Sequence, residues 1–190
     1  YMEAVQGIIE DLGLALGGRS MVLCTSHSAL RILRQGIAPT LEEQGIFVLG
    51  QGVDGSPNQI LRRFVENPRT VILGTASLWE GVDIPDGLLK AIVVVRLPFG
   101  VPTDPVFSAR GNQFEDPFSE YALPHAVLRF RQGFGRLIRR REDRGAVIVL
   151  DRRIGSRGYG KTFLRSIPKC TVSWSGIRGI SREVHRWIEG

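Results

Sequence analysis

The chain switches repeatedly between helical and strand-like spacing of its apolar positions. Residues 3–16 place apolar side chains at three- and four-residue intervals and stop at Gly17-Gly18, predicting an amphipathic helix. Residues 21–25 form a short apolar run, read as a buried strand. Ser26 is a natural N-cap for a helix to about Glu43. A second strand follows over 45–49. Ser56-Pro57 opens a helix to Val65, with proline at the favoured first position, and Asn67-Pro68 breaks it. Residues 70–73 and 91–95 are continuous Val/Ile-rich runs, as expected of parallel strands covered on both faces. Pro98, Pro102 and Pro105 make 97–105 a loop. Helices are predicted over 105–115 and 119–140, a fifth strand over 145–150, and helices over 160–166 and 176–188 flanking a last short strand near 170–173. Strands alternating with helices predict one doubly wound α/β domain over residues 1–190, with a mostly parallel sheet, helices on both faces and a core of about 20–170. Ligands of such sheets bind at the strands' carboxyl ends, and the candidate motifs are expected there.

Composition narrows the picture. The chain has 190 residues, 43% of them hydrophobic, enough for one full core. No apolar run approaches the ~20 residues of a membrane helix, and the N-terminus lacks the features of a signal peptide. Cys24 and Cys170 are the only cysteines; they suggest reduced thiols and cannot by themselves ligate zinc or an iron–sulfur cluster. The net charge of +6 is unevenly placed. Residues 1–128 hold 9 Lys/Arg against 14 Asp/Glu, whereas residues 129–190 hold 16 against 5. A half of net charge +11 suggests a polyanion partner.

Three stretches carry candidate chemistry. In Gln132-Gly133-Phe134-Gly135-Arg136-Leu137-Ile138-Arg139, an α-helix would set Arg136 roughly 40° from Gln132 and Arg139 roughly 20° the other way. An amide and two guanidiniums would share one face, suited to a polyphosphate. Gly133 and Gly135 cost a helix about 1 kcal/mol each and would let a ligand approach the backbone. The alternative is a solvated basic helix. The third strand runs into residues 74–85, which carry Thr75, Ser77, Trp79, Glu80, Gly81 and Asp83. Hydroxyls and amides there can hold phosphates, and carboxylates can hold a ribose or pair with arginine; an ordinary capped loop is the alternative. At the end of the first strand, Cys24-Thr25-Ser26-His27-Ser28 crowds hydroxyls at a helix N-terminus, an anion site or a simple N-cap.

Together these stretches resemble motifs IV (residues 22–26), V (74–85) and VI (132–139) of the second motor domain of superfamily 2 helicases, specifically the XPD/DinG family. Arg96-Leu97-Pro98-Phe99 and Asp151-Arg152-Arg153 are similar to DinG-type phrases, and the resemblance runs from about residue 20 to 168. It implies a RecA-like C-terminal motor half of an ATP-dependent DNA helicase. ATP and Mg2+ would be gripped mainly by an N-terminal motor domain of the same parent, to which this half is a partner. Arg139 would be the arginine finger, Arg136 would sense the γ-phosphate, and Gln132 would position it, with Gly135 beside them. Glu80, Gly81 and Asp83 would couple nucleotide state to motif V. Thr25, Ser26, Thr75 and Ser77 would hold single-stranded DNA; Trp79 would stack on a base or be packed inside. The family implies 5′→3′ travel and a cytoplasmic, nucleoid-associated protein. Its phosphate-gripping lysine, magnesium box and any 4Fe-4S cysteines belong to the other domain, so no metal site is expected here and this piece alone should not turn over ATP.

Two rival readings stand beside that one. Gly155-Ser156-Arg157-Gly158-Tyr159-Gly160-Lys161-Thr162 fits the P-loop pattern of a self-contained kinase or ATPase, although Asp151–Ile154 separate it from the preceding strand. A plain nucleic-acid-binding module would explain the basic half, though not one face shared by Gln132, Arg136 and Arg139.

Overall fold

The computed structural model describes residues 1–75, 78, 84–85, 87–137 and 144–190, Arg178 and Glu189 by backbone alone. Helix α1 (Met2–Leu16) ends at Gly17, whose left-handed φ of 60° returns the cap amide to the last turn. Strand β1 (Ser20–Leu23) leads through N-cap Ser26 into α2 (His27–Glu43). Strand β2 (Phe47–Gly50) is followed by α3 (Pro57–Glu66), which opens with a full capping box between Ser56 and Gln59. Strands β3 (Thr70–Gly74) and β4 (Ala91–Val94) follow, then α4 (Pro105–Gly111), a wide π-type turn (Pro117–Ala122) and α5 (Leu123–Phe134). Strand β5 (Ala146–Val149), the short helices α6 (Arg153–Ser156) and α7 (Gly160–Ser166), and α8 (Ile180–Glu189) complete the described elements.

The five strands are all parallel in the order β2-β3-β1-β4-β5. Residues of β1, β3 and β4 are buried throughout, which is why their sequence reads as unbroken apolar runs. On one face, Ile9 and Leu12 of α1, Leu33 and Ile37 of α2 and Val184 of α8 pack over Val22, Val71 and Val93. On the other, Phe64 of α3, Phe130 of α5 and Phe163 of α7 pack over Met21, Ile72 and Ile92. The strand parity of 2 thus sorts alternate residues into two cores.

Three expectations need correction. Residues 170–173 form no strand; they are exposed, and Ser173 and Ser175 bond to Glu183 of α8 instead of a sheet. The helix predicted over 105–115 stops at Gly111 and the chain re-enters helix through Pro117. The helix predicted to reach residue 140 stops at Phe134. Gly133 and Gly135 make continuation costly. The amides of Arg136 and Leu137 turn to the carbonyls of Gly133 and Phe134, both at 3.1 Å. Arg136 therefore lies in a tightened turn beyond the helix, and the angular argument that put it on one α-helical face with Gln132 does not apply.

Candidate nucleic-acid and nucleotide interface

The carboxyl ends of the strands form a continuous rim. The ladder runs on past the strands, with Cys24 N–H to the Gly74 carbonyl at 2.8 Å and Gln51 N–H to that of Leu73 at 2.9 Å. Thr25 and Ser26 emerge from β1 into solvent. Ser26 Oγ accepts the Ala29 amide at 3.2 Å and lies 3.1 Å from Ser28 Oγ, so the hydroxyls gather at the positive end of a 17-residue helix. Thr75 behaves differently. It is only 8% exposed; its amide donates to Gln51 Oε1 at 2.9 Å, and its hydroxyl lies 3.4 Å from the same oxygen and 3.5 Å from His27 Nε2. Three strand ends meet in that contact. Gly74 has no room for a side chain, because a Cβ would come within 1.8 Å of Leu78, which is fully buried. Ser77, Trp79, Glu80, Gly81 and Asp83 lie outside the described residues.

Two carboxylates brace this rim, and the sequence reading gave neither a role. Asp54 forks Arg34 at 2.5 and 2.7 Å and accepts the Gly50 amide at 2.7 Å. Asp151, 7% exposed, accepts the Leu97 amide at 3.0 Å and pairs with Arg153 at 2.6 Å, tying β4's exit to β5's. Burial works to raise both carboxyls, but the guanidinium and amide donors outweigh it and hold each below the ordinary aspartate value. An acid directly after an apolar strand, followed by two arginines, was the available signal for Asp151.

The second candidate region is the end of α5. Gln132 and Gly135 are exposed, and Arg136 is half-buried. Leu137 packs against Gly145, just before β5, where a Cβ would approach its side chain to 2.7 Å. Arg136 therefore lies level with the amino end of β5. This corrects the expectation that all the motifs gather at the carboxyl rim; Thr25, Ser26 and Thr75 do, and Arg136 does not. Gly135 has an ordinary helical φ of −65°. Among the described residues a Cβ there would meet nothing closer than the Arg131 and Gln132 carbonyl oxygens at 3.6 Å, an ordinary contact that does not itself call for glycine. Arg139 lies outside the described residues.

The sequence and topology were compared with known proteins. A model of the helicase C-terminal domain family matches residues 9–170. The chain belongs to that family. It is 41% identical over 158 residues to the 3'-5' exonuclease DinG of Bacillus subtilis, covering 80% of this chain and 17% of the relative. It is 40% identical over 158 residues to the ATP-dependent DNA helicase YoaA of Escherichia coli, covering 81% and 24%. It is 38% identical over 184 residues to the ATP-dependent helicase DinG of Mycobacterium tuberculosis, covering 94% and 27%. The chain thus spans about a quarter or less of these curated relatives. The solved structure of S. tokodaii Xpd4 overlays with a TM-score of 0.55 at 17% identity, over 86% of this chain and 33% of that one, which supports the RecA-like fold.

Within this helicase domain the P-loop look-alike does not form a phosphate cradle. Residues 153–156 make a helical turn, and the amides of Gly155, Ser156 and Arg157 are used on the carbonyls of Arg152 and Arg153 at 3.1 Å. Gly160 is there for packing: a Cβ would fall 1.9 Å from the Ile154 carbonyl oxygen. Among the described residues no cluster of three or more His, Cys, Asp or Glu could hold a metal ion, and no helix is long and apolar enough to cross a membrane. Cys24 is buried, which pushes its thiol up to about 12, and Cys170 is exposed.

Proposed function

We propose that this domain is the C-terminal motor half of an ATP-dependent DNA helicase and works through two separate regions. The carboxyl rim, with Thr25, Ser26 and Thr75, together with Ser77 of motif V holds the backbone of single-stranded DNA, and Trp79 stacks on a base or packs inside. The end of α5 completes a nucleotide site opened by the N-terminal motor domain of the same parent. There Gln132 positions the γ-phosphate, Arg136 senses it, and Arg139 is the finger that offsets charge on the transferring phosphoryl group. Mg2+ would be held mainly by the other lobe and would supply positive charge against the phosphates. Glu80, Gly81 and Asp83 would transmit nucleotide state to the DNA contacts, giving 5′→3′ movement.

The observation that carries this reading is Gly135. It is exposed and in ordinary helical geometry, with room for a Cβ among the described residues, in a Gln-x-x-Gly-Arg-x-x-Arg sequence. A glycine that the packing of the described residues does not need is explained by a ligand or lobe that approaches the backbone from outside.

The test is Arg139→Ala in the full-length parent. ATP turnover, read as phosphate release with saturating single-stranded DNA, should fall by about 10³-fold or more. ATP binding, read by a fluorescent analogue, should change little. Turnover within a few-fold of the unaltered protein would remove the finger assignment and leave a binding module.

A further inference from the structure

Beyond β5 the rim continues into a feature that none of the motifs contains. Trp174 is 65% exposed, although tryptophan is a large apolar side chain. Its six-membered ring rests on Gly155, where a Cβ would come within 2.7 Å of Cζ3 and 2.9 Å of Cη2. Gly155 lies in α6, directly after the carboxyl end of β5. The segment is fixed from behind: Ser173 and Ser175 both bond to Glu183 of α8, and these donors hold the Glu183 carboxyl below its ordinary value. Arg152 and Arg157 flank Gly155 in the chain and are exposed, as are Lys161 and Arg165 of α7. A solvent-facing indole seated on a turn that carries exposed Arg152 and Arg157 matches the stacking-plus-charge chemistry of single-strand binding.

Its position fits a continuous track. Strands β1 and β5 are separated only by β4, so at ~4.8 Å per strand their carboxyl ends lie about 10 Å apart. A strand held at Thr25 and Ser26 and led along the rim past Arg96 reaches the α6 turn within a few nucleotides' length. We propose that Trp174 is a base-stacking site for single-stranded DNA, seated on Gly155 and flanked by Arg152 and Arg157, at the β5 end of the track. This rests on the reading of the rim as a DNA surface and extends it by a site.

The experiment is equilibrium binding of a fluorescent oligothymidylate to the full-length parent without nucleotide, across a salt series. Trp174→Ala should weaken binding about 10-fold, within the range of one base–aromatic stack. The salt slope should stay unchanged because no charge is removed. Trp174→Phe should keep most of the affinity, and Arg157→Ala should lower the slope. Gly155→Ala, which displaces the ring, should resemble Trp174→Ala. Unchanged affinity in Trp174→Ala, with a clear loss in Ser26→Ala, would overturn the stacking site while leaving the rim as a DNA surface. Unchanged affinity in both variants would sink the reading of the rim itself. A lowered melting temperature of Trp174→Ala with unchanged affinity would place the indole against another lobe, which also overturns the proposal.

Discussion

The carboxyl rim and the end of α5 differ in what holds their residues in place. At the rim, groups suited to DNA also serve the fold. Ser26 caps a helix, the Thr75 amide is bonded to Gln51, and Gly74 makes room for Leu78. At the end of α5, Gly135 has no such second duty among the described residues, because a Cβ there would meet only the Arg131 and Gln132 carbonyl oxygens, at an ordinary 3.6 Å. The difference teaches where function can be separated from folding. Substitutions at the rim should move stability and binding together. Substitutions at the end of α5 should lower turnover without costing stability.

The largest stability effect that would sharpen this contrast is at Asp151. Asp151→Ala leaves the Leu97 amide and the Arg153 guanidinium without their acceptor and should cost about 3 kcal/mol in urea unfolding of the 190-residue chain. The pH profile gives an independent check. The folded carboxyl lies below the unfolded value of about 3.9, so its contribution is complete above that pH. It is lost as pH falls through the depressed folded value. The acid limb of stability against pH should therefore be shallower in Asp151→Ala, and an unchanged limb would show that the ion pair does not brace the rim.

A smaller effect is expected at Ser26. Ser26→Ala should cost about 1 kcal/mol through loss of the N-cap and should weaken single-strand binding in the same variant. Stability lost without any change in binding would make this hydroxyl a cap only. The smallest effect tests the other region. Gly135→Ala should stabilise the domain by about 0.5 kcal/mol, since its backbone suits alanine, while lowering ATP turnover in the parent. Destabilisation would mean that the glycine is structural after all, and the contrast between the regions would collapse.

The sheet was legible in the sequence because β1, β3 and β4 are buried on both faces, and such strands can hardly be written without continuous Val, Ile and Leu. The caps at Ser26 and Ser56 were legible for a similar reason: few residue types satisfy a helix's first amides. The end of α5 was not. Two glycines at about 1 kcal/mol each are compatible with a continuing helix or a terminated one, and tertiary packing decides between them. Residues 170–173 look strand-like by β-branching alone, yet Ser173 and Ser175 have a partner on α8 that no local pattern could announce. Thr25 and Thr75 read alike as hydroxyls after strands. One is exposed and the other is turned inward by Gln51, which arrives from a strand on the far side of β3. The Asp151 bridge to Leu97 joins positions 54 residues apart, beyond the reach of any spacing argument.

The contrast between the two cysteines has a practical consequence. A thiol pushed up to about 12 inside the core is almost wholly protonated at neutral pH and shielded from reagents, whereas Cys170 stands in water four residues before the indole at 174. Within this chain, maleimide chemistry at pH 7 should therefore attach a single dye, without any engineered handle. That dye would sit beside the far end of the track, where its anisotropy could report each arrival of a strand.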